Sequence, residues 1–187
     1  MIKFDTGLGL ERKFCQPEAP LSVKDGAVIE GYASLFGATD EGGDIVQPGA
    51  YGASLKRLAT EGRRVKMLWQ HDPTQPIGIW DEVREDGRGL FVKGRILSEV
   101  ARGREAAALV AAGAIDGLSI GYRTKRAAKD ASGRRLLAEL ELWEVSLVTF
   151  PMLADARVAA KADETAEGLL RDLAEAFAGA RRVLAEG

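Results

Sequence analysis

The chain is short of the residues that most often carry reactive chemistry. Its 187 residues include one cysteine, Cys15, and one histidine, His71. A single cysteine excludes an internal disulfide and any multi-cysteine zinc site, and a single histidine excludes metal sites built on several imidazoles. Any Ser-His or Cys-His chemistry has to use His71. Charge of one sign is lacking too. The formal net charge is -2, so no basic excess speaks for nucleic acid or for an anionic membrane surface. No apolar run approaches the about 20 residues of a membrane span. The opening stretch, MIKFDTGLGLERKF, lacks the apolar core of a signal peptide. A reducing cytoplasm is the expected compartment, with no membrane partner, no metal and no cofactor implied.

What is present is an ordinary globular composition, 46% hydrophobic and 29% charged, long enough for one domain with a real core and a short appendage. Residues 1–26 read as an N-terminal segment, 27–160 as the main domain and 161–187 as a helical tail. Within the domain, Ile29, Gly31, Ala33 and Leu35 alternate with Val28, Glu30, Tyr32 and Ser34, the period of a strand. Asp40 to Asp44 is a turn, and PGAYGASLKRLATEG a short helix stopped by Gly62. RVKMLWQH reads as a strand whose one face carries Val65, Met67, Trp69 and His71. PIGIWDEVRED and GLFVKGRIL form a hairpin around Asp86-Gly87. SEVARGREAAALVAAG is a helix with Ser98 as its expected N-cap and Gly113 as its stop. GLSIGYRTKRAA and RRLLAELELWEVSLVTF are strands joined by a polar turn. In the tail, Leu169, Leu170, Leu173, Phe177, Ala180 and Leu184 form the apolar stripe of an amphipathic helix. Strands linked by hairpins rather than by alternating helices predict an α+β fold, mostly an antiparallel β-barrel surrounded by helices.

Gly117-Leu-Ser-Ile-Gly121 spells G-x-S-x-G, the letters of the α/β-hydrolase elbow. That elbow needs a strand before its serine and a helix after it, and a histidine later in the chain. Here a helix precedes Ser119, a strand follows, and the only histidine lies upstream. The α/β-hydrolase assignment fails on both counts.

Ser119 remains a candidate nucleophile. Glycines at one remove on either side leave its hydroxyl uncrowded and allow an extended backbone to come close. The plainer account is a hydroxyl satisfied at a strand end. His71 sits where a rigid strand gives way to a loop, a position that suits catalytic groups. The plainer account there is a capped, half-buried imidazole. The long last strand offers an acid. Leu136, Ala138, Leu140, Leu142, Glu144, Ser146 and Val148 share one face by parity, and Glu144 is its only charge. An unpaired carboxylate buried there would cost several kcal/mol, so Glu144 needs a donor, and an imidazole N–H is a natural one. An arginine, or a bulge that turns Glu144 outward, would serve instead, and Glu141 would then be the substitute acid. Asp72 and Asp116 read as solvated loop carboxylates, and Trp69, Trp80 and Trp143 as core.

Four blocks, YASLFGATDEGGDIVQPGAYGASLKR, VKMLWQHDPTQPIGIW, GAIDGLSIGYR and ELWEVSLVTFPMLADARV, stand in order between about Gly31 and Val158. Together they resemble the prohead (capsid maturation) proteases of tailed bacteriophages and of phage-derived gene transfer agents. The resemblance implies a serine endopeptidase with a fold like the herpesvirus assembly protease. It places the catalytic histidine at His71, the serine at Ser119 and the acid at Glu144. The herpesvirus enzymes use a second histidine as third member. This chain has one, so an acid replaces it or the site is a dyad. The oxyanion-binding backbone would lie near FPMLADAR. Implied substrates are the major capsid protein, its scaffold region or a separate scaffolding protein, and the chain itself, inside an immature capsid in the host bacterial cytoplasm. A homo-oligomer is left open, as is removal of the tail. The alternatives are a non-catalytic capsid assembly or scaffolding factor with the same fold, and an unrelated esterase or amidase using the same Ser-His pair.

Overall fold

The computed structural model describes residues 11–15, 22–24, 28–40 and 42–149. The predicted tail helix at 161–187 and the FPMLADAR loop lie outside them. The described residues are mostly strand. In chain order they form β1 (Glu11–Cys15), β2 (Ser22–Lys24), β3 (Val28–Leu35), β4 (Asp44–Val46), α1 (Gly52–Thr60), β5 (Lys66–Trp69), β6 (Asp72–Glu85), β7 (Gly89–Ile96), α2 (Ala101–Ala111), β8 (Gly117–Lys129) and β9 (Arg135–Val148).

The strands make one sheet in the order β1-β8-β9-β5-β6-β7-β3-β2, with β4 also pairing β9. Strand twist curls a sheet of this size. Its two ends approach each other, since β1 and β8 both contact β3, but the hydrogen-bonded path runs open from β1 to β2. The expected barrel is therefore a curled half-barrel with two helices packed on it. Pairing is mostly antiparallel, as expected. β4 and β5 run parallel to β9, which hairpin-by-hairpin reading did not anticipate. The core fills the curl with Ile29, Met67, Ile77, Leu90, Val92, Leu118, Ile120, Leu140 and Val145, all nearly or wholly buried. Among the described residues no helix is long and apolar enough to cross a membrane.

Local chemistry explains most element boundaries. The β6–β7 hairpin turns at Asp86, whose N–H donates to the Gly89 carbonyl and whose carboxylate accepts from the Arg88 N–H. Gly62 and Gly113 end the two helices with positive φ, a conformation glycine adopts without steric cost. Gly103 lets α2 lie directly on the Leu97 and Ile77 carbonyls, where a Cβ would collide. The Ser98 cap is a correction: the helix starts later, its N-cap is Val100, and no side chain caps it. Ser98 instead offers its carbonyl to Arg104.

Parity along β9 also needs correction, at its start and again at Trp143. Ala138 is an extra residue opposite the step from Arg126 to Ala127, so the pleat changes phase there. Leu137 and Leu140 are buried, while Leu136 and Ala138 are only half-buried. A second bulge inserts Trp143 between the pairs Tyr122–Leu142 and Gly121–Glu144. At this bulge the Leu142 N–H turns to the Ser54 hydroxyl of α1 at 2.9 Å. The helix thus supplies a partner that the ladder does not.

Candidate active site

β9 lies between the strand carrying Ser119 and the strand leading to His71. Ser146 of β9 stands across from Ser119 of β8 on one side and Leu68 of β5 on the other. Neighbouring strands are about 4.8 Å apart, so β8 and β5 are separated by about 10 Å, a gap that one imidazole and one hydroxymethyl group can bridge. Because β5 runs parallel to β9, its C-terminal end leaves the sheet beside Leu147, where the Gln70 N–H donates to the Leu147 carbonyl at 3.0 Å.

His71 is not on the strand face with Val65, Met67 and Trp69 as parity predicted. β5 ends at Trp69, and Gln70 and His71 both take left-handed backbone, φ 51° and 62°. Two consecutive non-glycine residues in that region are uncommon and cost energy that the surroundings must offset. Here the Gln70 side chain donates to Thr149 Oγ1 at 2.7 Å, and the His71 N–H donates to Ser146 Oγ at 3.1 Å. The turn throws the imidazole back over β9.

There the three sequence-predicted residues meet. His71 Nε2 is 2.6 Å from Ser119 Oγ, and His71 Nδ1 is 2.5 Å from Glu144 Oε1. Nδ1 faces a carboxylate and so carries the ring proton. Nε2 is then the acceptor of the Ser119 O–H. Ser119 is wholly buried, and Glu144 and His71 are 5% and 7% exposed. Burial on this scale makes the carboxylate's partners obligatory, and both its oxygens have one: the imidazole on Oε1 and the Ser146 hydroxyl on Oε2, 2.5 Å away.

The Trp143 bulge shifts the pleat so that Glu144 pairs with Gly121 and shares the face of Ser119 and Ser146, opposite the core face of Leu142 and Val145, and bulges beside sites commonly re-aim a side chain this way. Gly121 makes the space. It pairs with Glu144 across the ladder, and a Cβ there would collide with the Glu144 carboxylate. One glycine of the elbow-like motif therefore has a structural purpose unrelated to an elbow. Glu141 is elsewhere. Its carboxylate binds Arg57 at 2.8 Å and Lys125 at 2.9 Å, and the Lys125 ammonium is first among the groups that hold it below the usual carboxylate range.

Asp72 accepts from the Thr74 N–H and hydroxyl and from Gln75, a local turn next to His71. Trp80 is core, with its indole N–H on the Val145 carbonyl. Trp143 is a correction: it is half-buried rather than core, with the guanidinium groups of Arg63 and Arg123 over its ring at 5.7 and 5.0 Å. Sequence reading did not single out Ser146 or Gln70. Ser146 had a signal, a second polar residue on the face of Glu144. Gln70 had none, because nothing in its neighbours foretells left-handed backbone.

Comparison with known proteins agrees with this architecture. A solved structure of the bacteriophage T4 capsid assembly protease superposes with a TM-score of 0.61, covering 76% of this chain and 98% of that one at 19% identity, which speaks to the fold. The prohead protease of Enterobacteria phage HK97 is 34% identical over 152 residues, 78% of this chain. The match spans 65% of that relative's length. Residues 17–170 match the model of the caudovirus prohead serine protease family. The chain belongs to that family.

Proposed function

We propose that the chain is a serine endopeptidase of capsid maturation, in which Ser119 is the nucleophile, His71 the general base and Glu144 the orienting acid. The observation that carries this is the single imidazole hydrogen-bonded at once to Ser119 and to Glu144. His71 takes the proton of Ser119 as the oxygen attacks a peptide carbonyl. It then gives that proton to the leaving amine, and water repeats the cycle on the acyl-enzyme. Glu144 holds the imidazole in the Nδ1–H tautomer and stabilises the imidazolium as it forms. An acid thus stands where the herpesvirus enzymes have a second histidine. Ser119 is wholly buried in this conformation, so a peptide reaches it after a local opening.

The substrates we propose are the major capsid protein, its scaffold region or a separate scaffolding protein, and the chain itself, within an immature capsid in the host cell. Confinement there raises the effective substrate concentration, so a slow enzyme suffices. The test is to express wild type, Ser119→Ala, His71→Ala and Glu144→Gln with the major capsid protein of the same particle and to map protein termini by mass spectrometry. New termini with wild type and none with Ser119→Ala or His71→Ala are expected. Identical termini in all samples would leave a non-catalytic assembly factor with this fold as the better account.

A further inference from the structure

Ser146 follows Glu144 by two residues on the same face of β9 and is wholly buried. Its hydroxyl joins two groups. The oxygen accepts the His71 backbone N–H at 3.1 Å, and the proton goes to Glu144 Oε2 at 2.5 Å. Resting on the triad proposed above, we infer that Ser146 is a positioning residue, fixing His71 and Glu144 relative to each other through one hydroxyl.

Each half of that contact has a mechanical reason. The carboxylate is on the end of a side chain whose last torsion is broad and two-fold. A donor on Oε2 stops that rotation and presents Oε1 to the imidazole. His71 stands in left-handed backbone, and its N–H has left the β-ladder. The Ser146 oxygen replaces that lost acceptor and pins the turn that aims the ring. An apolar residue at 146 would leave a buried N–H and a buried carboxylate oxygen each one partner short. If Ser146 were there only to fill space, its proton would need no particular target. It is aimed at the carboxylate oxygen that His71 does not use.

The probe is a fluorophosphonate, which phosphonylates an activated serine with loss of fluoride. An irreversible reagent accumulates on whatever fraction of molecules is open, so burial slows labelling without preventing it. Labelling rates of the full chain are compared for wild type, Ser146→Ala, Ser146→Cys, Glu144→Gln and the Glu144→Gln/Ser146→Ala double variant, with thermal unfolding as the check on folding. Ser146→Ala is expected to label about tenfold to a hundredfold more slowly, the size of a lost hydrogen bond to a charged group. Ser146→Cys, with a weaker donor in similar space, should fall between. In the Glu144→Gln background the Ser146→Ala change should cost clearly less than in wild type, keeping only the part due to the His71 N–H, because residues that act through one another are not additive. Ser146→Ala labelling at the wild-type rate, or losses that multiply in the double variant, would overturn the inference and leave the triad intact. Labelling that survives Ser119→Ala, or a wild-type chain that takes no label, would overturn the triad and this inference with it.

Discussion

Gly121 and Glu144 face each other across the β8–β9 ladder, and the Glu144 carboxylate occupies the space that a side chain at residue 121 would need. The carboxylate is held at both oxygens, so it cannot swing away to make room. Gly121→Ala should therefore displace Glu144 from His71. Displacing a positioned group by about 1 Å costs about a hundredfold in rate, and overpacking costs about 1–3 kcal/mol of stability. Fluorophosphonate labelling and chemical denaturation measure the two. A variant that labels as fast as wild type would show that the carboxylate position is not needed.

Glu141 provides the contrast. It lies three residues from Glu144 in the same strand, but it binds Arg57 and Lys125. Glu141→Gln should label within about twofold of wild type and lose no more than about 1 kcal/mol, the range of partly exposed ion pairs. A loss of labelling equal to that of Glu144→Gln would mean that the wrong carboxylate has been assigned to His71.

The β6–β7 turn should make stability depend on pH. The Arg88 backbone N–H, then the Tyr32 hydroxyl and the Arg84 guanidinium, bind the Asp86 carboxylate and lower its pKa from 3.8 to about 2. A carboxyl group whose pKa is depressed on folding stabilises the fold above its unfolded value. That stabilisation fades as pH falls through the folded value. Asp86→Asn should melt below wild type at neutral pH, with the gap closing between about pH 4 and about pH 2. Thermal unfolding across that range checks it, and a gap that widened in acid would refute the assignment.

Scarcity made the site legible in the sequence. With one histidine, and one charge that parity set among apolar residues of the last strand, His71, Ser119 and Glu144 were the residues to test, and they lie within hydrogen-bonding distance of one another through His71, although the Trp143 bulge puts Glu144 on the face opposite Leu140 and Leu142. The β6–β7 hairpin and both helices were legible for a different reason: their turn and stop signals are local. The parallel pairing of β5 and β4 on β9 was hidden, because the contacts joining them are distant in sequence. The β9 bulges were hidden because parity assumes an unbroken pleat. Ala138 and Trp143 break it, and beside them the Leu140 and Leu142 N–H groups turn to the Ala50 carbonyl and the Ser54 hydroxyl. Ser98 looked like a helix cap, yet Ser98 and Glu99 form a turn closed by the Val100 N–H on the Leu97 carbonyl, and the helix begins only after Val100.

β9 also sets when the chemistry can exist. The β8–β9 hairpin alone joins Ser119 to Glu144 through near neighbours in the chain. The proposed base, His71, stands on the turn after β5, 75 residues before the Ser146 that anchors it. Closing so long a loop is the slow part of folding such a sheet. A chain with only its local hairpins formed would bring Ser119 and Glu144 together without His71. Under the proposed triad, proteolytic power would belong to the finished sheet alone.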